Sequence, residues 1–171
     1  MAQILHSPTK KQPDMSAKEL QYSLHTIKKL TSYLNSLDTL PISNLKEEKI
    51  GVRKGFQLGF NEATGKLTIK VMTDFLCRPE DSEPVKLFGA TILCESLFLN
   101  FHDIVKKTNE TQVEIPDDLL VTLMSVSYSS ARGILAELTA GTDYFNILLP
   151  LVNPQDFKTI LKTAEKQTEA K

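Results

Sequence analysis

The sequence predicts an α+β fold: antiparallel strands first, then one long helix packed on a single face of their sheet. Three observations carry this. Apolar and polar residues alternate from Ile50 through Cys77, with Asn61-Glu62-Ala63-Thr64-Gly65 as a turn in the middle; this is hairpin patterning with one buried face. From Leu119 to Thr139 no proline intervenes, and large apolar residues return at Leu120, Leu123/Met124, Tyr128, Ile134/Leu135 and Leu138, the spacing of an amphipathic helix. A chain of 171 residues that is 41% hydrophobic can furnish one real core.

The elements follow in chain order. Residues 1–15 hold Pro8, Pro13 and the Lys10-Lys11 pair with little apolar content, and read as a flexible tail. Residues 16–40 read as an N-terminal amphipathic helix. Ser16-Ala17-Lys18-Glu19 spells a capping box. Leu20, Leu24, Ile27, Tyr33/Leu34 and Leu37 then form one stripe between Ala17 and Leu37, ahead of Pro41. That stripe has to bury against something. The chain's own sheet is the nearest choice, and a partner or a second subunit is the other.

Residues 45–164 read as the α+β domain. Phe56–Phe60, Leu67–Cys77 and Lys86–Leu97 are expected to pair as antiparallel strands. The third is long enough to bend, with Gly89 as a bulge candidate and Phe98-Leu99-Asn100-Phe101 turning away. Arg78–Pro84 reads as an acidic loop and His102–Glu114 as a polar connection. Pro116 suits the first turn of the long helix, and Asp117 and Asp118 sit beside the positive end of its dipole. Its centre is smooth, with Ser125, Ser127, Ser129, Ser130, Ala131 and Gly133, which suits close approach of a second helix. Gly141 supplies the stop. Tyr144–Val152 reads as an extended, buried segment crossing back over the helix, and Pro154–Ala164 as a short amphipathic helix. Residues 165–171 read as a second flexible tail.

Composition bears on function mainly by exclusion. A net charge of −1 and a pI near 6.3 give no electrostatic pull toward nucleic acid or an anionic membrane. The first residues contain no apolar targeting segment, and about 18 consecutive apolar residues never occur, so a cytoplasmic protein without membrane insertion is expected. Cys77 and Cys94 lie in apolar stretches without metal-ligand spacing; two buried thiols in a reducing compartment are the plain reading, a disulfide the other. His6, His25 and His102 are scattered, and no phosphate loop, dinucleotide turn or serine elbow is present. The serines at Ser125–Ser130 suit helix packing better than nucleophilic chemistry. Neither an enzyme nor a cofactor nor a metal is expected.

One stretch, Pro116–Phe157, resembles a known family. Tyr128-Ser129-Ser130-Ala131-Arg132 on the helix, Ala140-Gly141-Thr142 after it, then Asn146-Ile147-Leu148-Leu149-Pro150-Leu151-Val152-Asn153 and Phe157 resemble the SecB-type export chaperones. The likeness is closest to their diverged SecB-like members, some of which accompany toxin–antitoxin pairs. It implies a SecB-like four-stranded antiparallel sheet with the long C-terminal helix on one face, assembled as a homo-oligomer (dimer or tetramer). The chain departs from the family pattern in its extra N-terminal helix-like segment, in Ala140 where an arginine is usual, and in being nearly neutral where the export chaperones are markedly acidic. The last departure bears on docking to a SecA-like motor more than on client binding.

The function implied by that resemblance is a holdase that binds unfolded or exported client proteins through apolar grooves, in protein export or toxin–antitoxin control. Candidate client-lining residues are Phe98 and Phe101, with Tyr144, Phe145, Ile147 and Leu149 in the crossing segment. Candidate oligomer-interface residues are Ser125, Ser129, Arg132 and Gly133 in the smooth helix centre. Two other classes stand beside this one. The first is a non-catalytic adaptor that recruits one fixed partner through the N-terminal helix. The second is a binder of a small hydrophobic ligand.

Overall fold

The alternation along Ile50–Cys77 becomes one hairpin, and the strands on either side extend it into a sheet. The computed structural model describes residues 3–6, 21–40, 49–78, 83–100, 106–109 and 112–169. Its strands are β1 (Gln3–His6), β2 (Tyr22–Leu34), β3 (Ile50–Asn61), β4 (Lys66–Cys77), β5 (Val85–Phe98), β6 (Lys106–Asn109) and β7 (Gln112–Ile115), followed by helices α1 (Asp117–Thr139) and α2 (Pro154–Glu169). The main sheet has the order β2-β5-β4-β3 and is antiparallel throughout. β3, β4 and β5 follow one another as neighbours, and β2 returns beside β5, a Greek-key connection. A small second sheet, β1-β7-β6, pairs β1 with β7 in parallel.

Register explains which face is buried. Phe60 stands opposite Leu67, Leu58 opposite Ile69, Phe56 opposite Val71 and Val52 opposite Phe75. β5 continues these rows with Cys94 opposite Ile69 and Ile92 opposite Val71. Directly opposed residues share a face, so one side of the sheet is apolar across three strands. α1 covers that side with Leu120, Met124, Ala131 and Leu135, all buried. Pro116 caps the helix with extended backbone, and Asp117 and Asp118 occupy its first turn. Gly141, at φ 74°, follows the cap residue Ala140 in the left-handed region that glycine enters cheaply. Phe157 of α2 meets Phe56 edge-on at 5.6 Å and Tyr128 at 6.0 Å, so α2 lies on the same side of the sheet as α1. By length and composition α1 could cross a membrane; here it is the core helix of the sheet.

The predicted N-terminal helix is a strand. Two register shifts in β2, between Leu24 and Thr26 and between Lys29 and Thr31, each insert one residue. Consequently Tyr22, Leu24, Ile27 and Leu34 stand opposite Phe98, Ser96, Cys94 and Phe88 on one face. The bulges stretch two-residue steps to three, so Leu24, Ile27 and Leu34 fall at the three- and seven-residue intervals of a helix. The fourth strand of the sheet is therefore the segment read as an extra helix, and an adaptor helix over 16–40 falls with it. The capping box at Ser16–Glu19 lies outside the described residues.

Smaller differences have similar causes. Gln3–His6, read as part of a flexible tail, is β1. The polar connection contains β6 and β7, whose four-residue lengths leave little alternation to detect. The bulge expected at Gly89 sits at Leu87, because Phe75 pairs with Phe88 and Leu76 with Lys86. α2 runs on to Glu169, into the segment read as a second tail. Cys77 and Cys94 are free and buried. Cys94 stands opposite Ile69, and Cys77 lies eight residues further along β4. That is about 27 Å at the rise of a strand, far beyond the reach of a disulfide.

Candidate functional site

The face of α1 turned away from the sheet is not covered evenly. Between it and the segment leading into α2 runs an open groove of about 420 Å³. Ser125, Ser129, Arg132, Gly133 and Ala136 form the helix wall, with Leu148, Leu151, Val152 and Phe157 across from them. On that wall Ser125 Oγ donates to the Val121 carbonyl at 2.7 Å, and this back-bonding satisfies the hydroxyl within its own turn and keeps the wall smooth. Ser130, outside the groove lining, bonds back in the same way to the Val126 carbonyl at 2.9 Å.

Tyr128 ties the groove together. Its hydroxyl donates to the Pro150 carbonyl at 2.8 Å, fastening the crossing segment to the helix. Its ring joins Phe56, at 6.3 Å, and Phe157, and the Lys54 ammonium stands 5.7 Å from its centroid. Burial raises the Tyr128 pKa, and the Arg132 charge opposes that rise. The phenol is accordingly a neutral donor, which suits a structural clasp.

All four residues expected at a subunit interface, Ser125, Ser129, Arg132 and Gly133, line this one groove. The expected client-lining residues divide. Phe98, Tyr144 and Leu149 are buried in the core, and Ile147 packs partly against it. Phe145 is 60% exposed, and Phe101 lies outside the described residues. Tyr144 is fixed in the core by a 2.6 Å bond from its hydroxyl to the Asn35 carbonyl at the end of β2.

Sequence reasoning missed two open apolar residues beside this groove. Leu151 is 81% exposed and Leu148 48%. The signal was present in Ile147-Leu148-Leu149-Pro150-Leu151-Val152. An extended segment buries one side only, so a run this apolar must turn some residues outward. A second open strip lies on the helix side of β2, where Tyr22, Leu24 and Ile27 are exposed. Among the described residues two apolar surfaces are thus open on the helix side. Among the described residues no group of three or more His, Cys, Asp or Glu could hold a metal ion. No protein-family model matches the chain, and no curated protein matches it.

Proposed function

We propose that the protein is a non-catalytic, SecB-like holdase that works as a homo-oligomer and holds extended, unfolded client segments on the apolar surfaces beside α1. The observation that carries this reading is the open apolar strip Leu148/Leu151 facing a smooth helix centre. Large apolar side chains left exposed together favour binding over solvation. A helix surface made of serine and glycine admits a second backbone closely, and the simplest second backbone is α1 of another copy about a two-fold axis. The exposed edge of β2 adds backbone hydrogen-bonding groups that an unfolded segment can pair with. Clients, a SecA-like motor or a toxin–antitoxin pair are the partners this reading admits.

The test combines mass and activity. The protein should sediment above monomer mass and slow the aggregation of unrelated denatured proteins at stoichiometric amounts. Leu151→Glu should leave the thermal midpoint nearly unchanged, since the side chain is mostly in water, while reducing that protection. A strictly monomeric protein without effect on aggregation overturns the proposal. A small apolar molecule that copurifies and fills the groove would instead favour the ligand-binding reading.

A further inference from the structure

The other face of the sheet carries a distinct surface. Its rows follow from register. Lys28 of β2 stands opposite Leu93 of β5, which stands opposite Lys70 of β4. The next row holds Thr26, Glu95 and Thr68, and the one beyond it Ser23, Leu97 and Lys66. At the far end Tyr33, Gly89, Asp74 and Arg53 form a row. Over the paired positions of this face the charged residues are Lys28, Arg53, Lys66, Lys70 and Lys86 against Asp74 and Glu95. The chain as a whole has 20 basic and 21 acidic residues, so the basic excess is local to the face. Among the described residues none of these five cations forms an ion pair.

Two features argue that this is more than a solvated surface. Lysines commonly guard edge strands against pairing, but Lys66 and Lys70 lie on β4, an interior strand that needs no guard. Leu93, Leu97 and Met72 also point to this side and are only partly covered, whereas a water-facing side of an antiparallel sheet is ordinarily polar. Leu93 lies between two lysines, each one strand away, about 5 Å per step. Apolar residues flanked by unpaired cations match a partner with an apolar side chain flanked by carboxylates. A second copy of the same face would bring lysine against lysine, which disfavours self-association here.

We propose that this open face docks an acidic, leucine-bearing segment of a partner protein, separately from the groove on α1. The test uses a labelled peptide of alternating Glu and Leu, with Gln-Leu and Lys-Leu peptides and a single-stranded RNA oligonucleotide as controls, read by fluorescence anisotropy. The acidic peptide should bind more tightly than every control and weaken as salt rises. Lys28→Glu combined with Lys70→Glu should lower its affinity about tenfold, the order expected when exposed attractive contacts become repulsive. Leu151→Glu should leave it unchanged, which separates this surface from the proposed client groove. If the double reversal impairs folding, Lys70→Gln and Lys28→Glu made singly should each weaken binding by a few-fold. Equal binding of the neutral peptide, no binding of the acidic one, indifference to lysine changes, or RNA competing through the same lysines each overturns the proposal.

Discussion

Tyr33 Oη donates a 2.9 Å hydrogen bond to Asp74 Oδ1, although the two residues sit on strands separated by β5. The ring crosses β5 at Gly89, where a Cβ would stand 2.8 Å from Tyr33 Cε1 and would meet the Thr73 carbonyl oxygen. Lys86 Nζ lies 5.8 Å from the ring centroid. Gly89 is therefore required by close approach, and Gly89→Ala should destabilise the protein by about 1–3 kcal/mol, the range for overpacking. Chemical denaturation checks this; an alanine variant as stable as the parent would mean the ring does not cross there.

The same contact predicts a pH response. Burial first, then the bond and charge of Asp74, raise the Tyr33 pKa well above the ordinary value near 10. A phenol held neutral in the fold contributes stability that is complete below the unfolded pKa. That stability is lost as pH rises through the folded one, since the unfolded chain releases its proton first. Stability should thus fall above about pH 10. Tyr33→Phe should cost about 1 kcal/mol near neutrality and flatten the alkaline fall. Tyr128 and Tyr144, also raised by burial, should sustain the remainder. A Phe variant whose alkaline profile superimposes on that of the parent would assign the effect to those two alone.

Gly133 separates monomer packing from assembly. A Cβ there would meet nothing within 4 Å, so the isolated fold gains from Gly133→Ala by roughly 0.5–1 kcal/mol, the helix penalty of glycine. Gly133→Leu should also be accommodated within one subunit. If α1 packs against α1 of another copy, the leucine overpacks the contact at about 1–3 kcal/mol. The expected result is an unimpaired unfolding midpoint at low concentration with a shift toward monomer in sedimentation. Unchanged mass in a wild-type oligomer would move the interface elsewhere.

How much of this was legible in the sequence depended on length and regularity. The hairpin β3–β4 keeps its two-residue alternation through Phe56, Leu58 and Phe60 on one strand and Leu67, Ile69 and Val71 on the other, so both strands and their pairing were readable. α1, with 23 residues, was readable from spacing, its acidic first turn and Gly141. β2 was not, because two bulges converted its apolar steps into helical ones and its exposed edge relaxes the need for buried residues. The interface candidates converge on one groove because they share a single helix face. The client candidates scattered because an apolar residue in an extended segment reads alike whether it faces the core, as Leu149 does, or solvent, as Leu151 does.

The strand assignment of β2 gives the final prediction. Were residues 16–40 an added helix, a chain beginning at Leu45 would keep its fold. As a strand, β2 supplies the pairing of the whole outer side of β5, the Tyr22 ring 6.0 Å from Phe98, and Leu34 against the core, with Leu37 of the turn that follows it. Asn35 at its end donates its amide N–H to Leu87 at 2.9 Å and accepts from the Tyr144 hydroxyl. Removal leaves β5 as an unpaired edge and strands the buried Tyr144 hydroxyl, at a cost of about 1–3 kcal/mol for that group alone. The shortened chain should precipitate or show no cooperative thermal transition. A synthetic peptide spanning Gln21–Leu40, added during refolding, should restore solubility by strand addition. A shortened chain that melts cooperatively without the peptide would show that the sheet is complete with three strands.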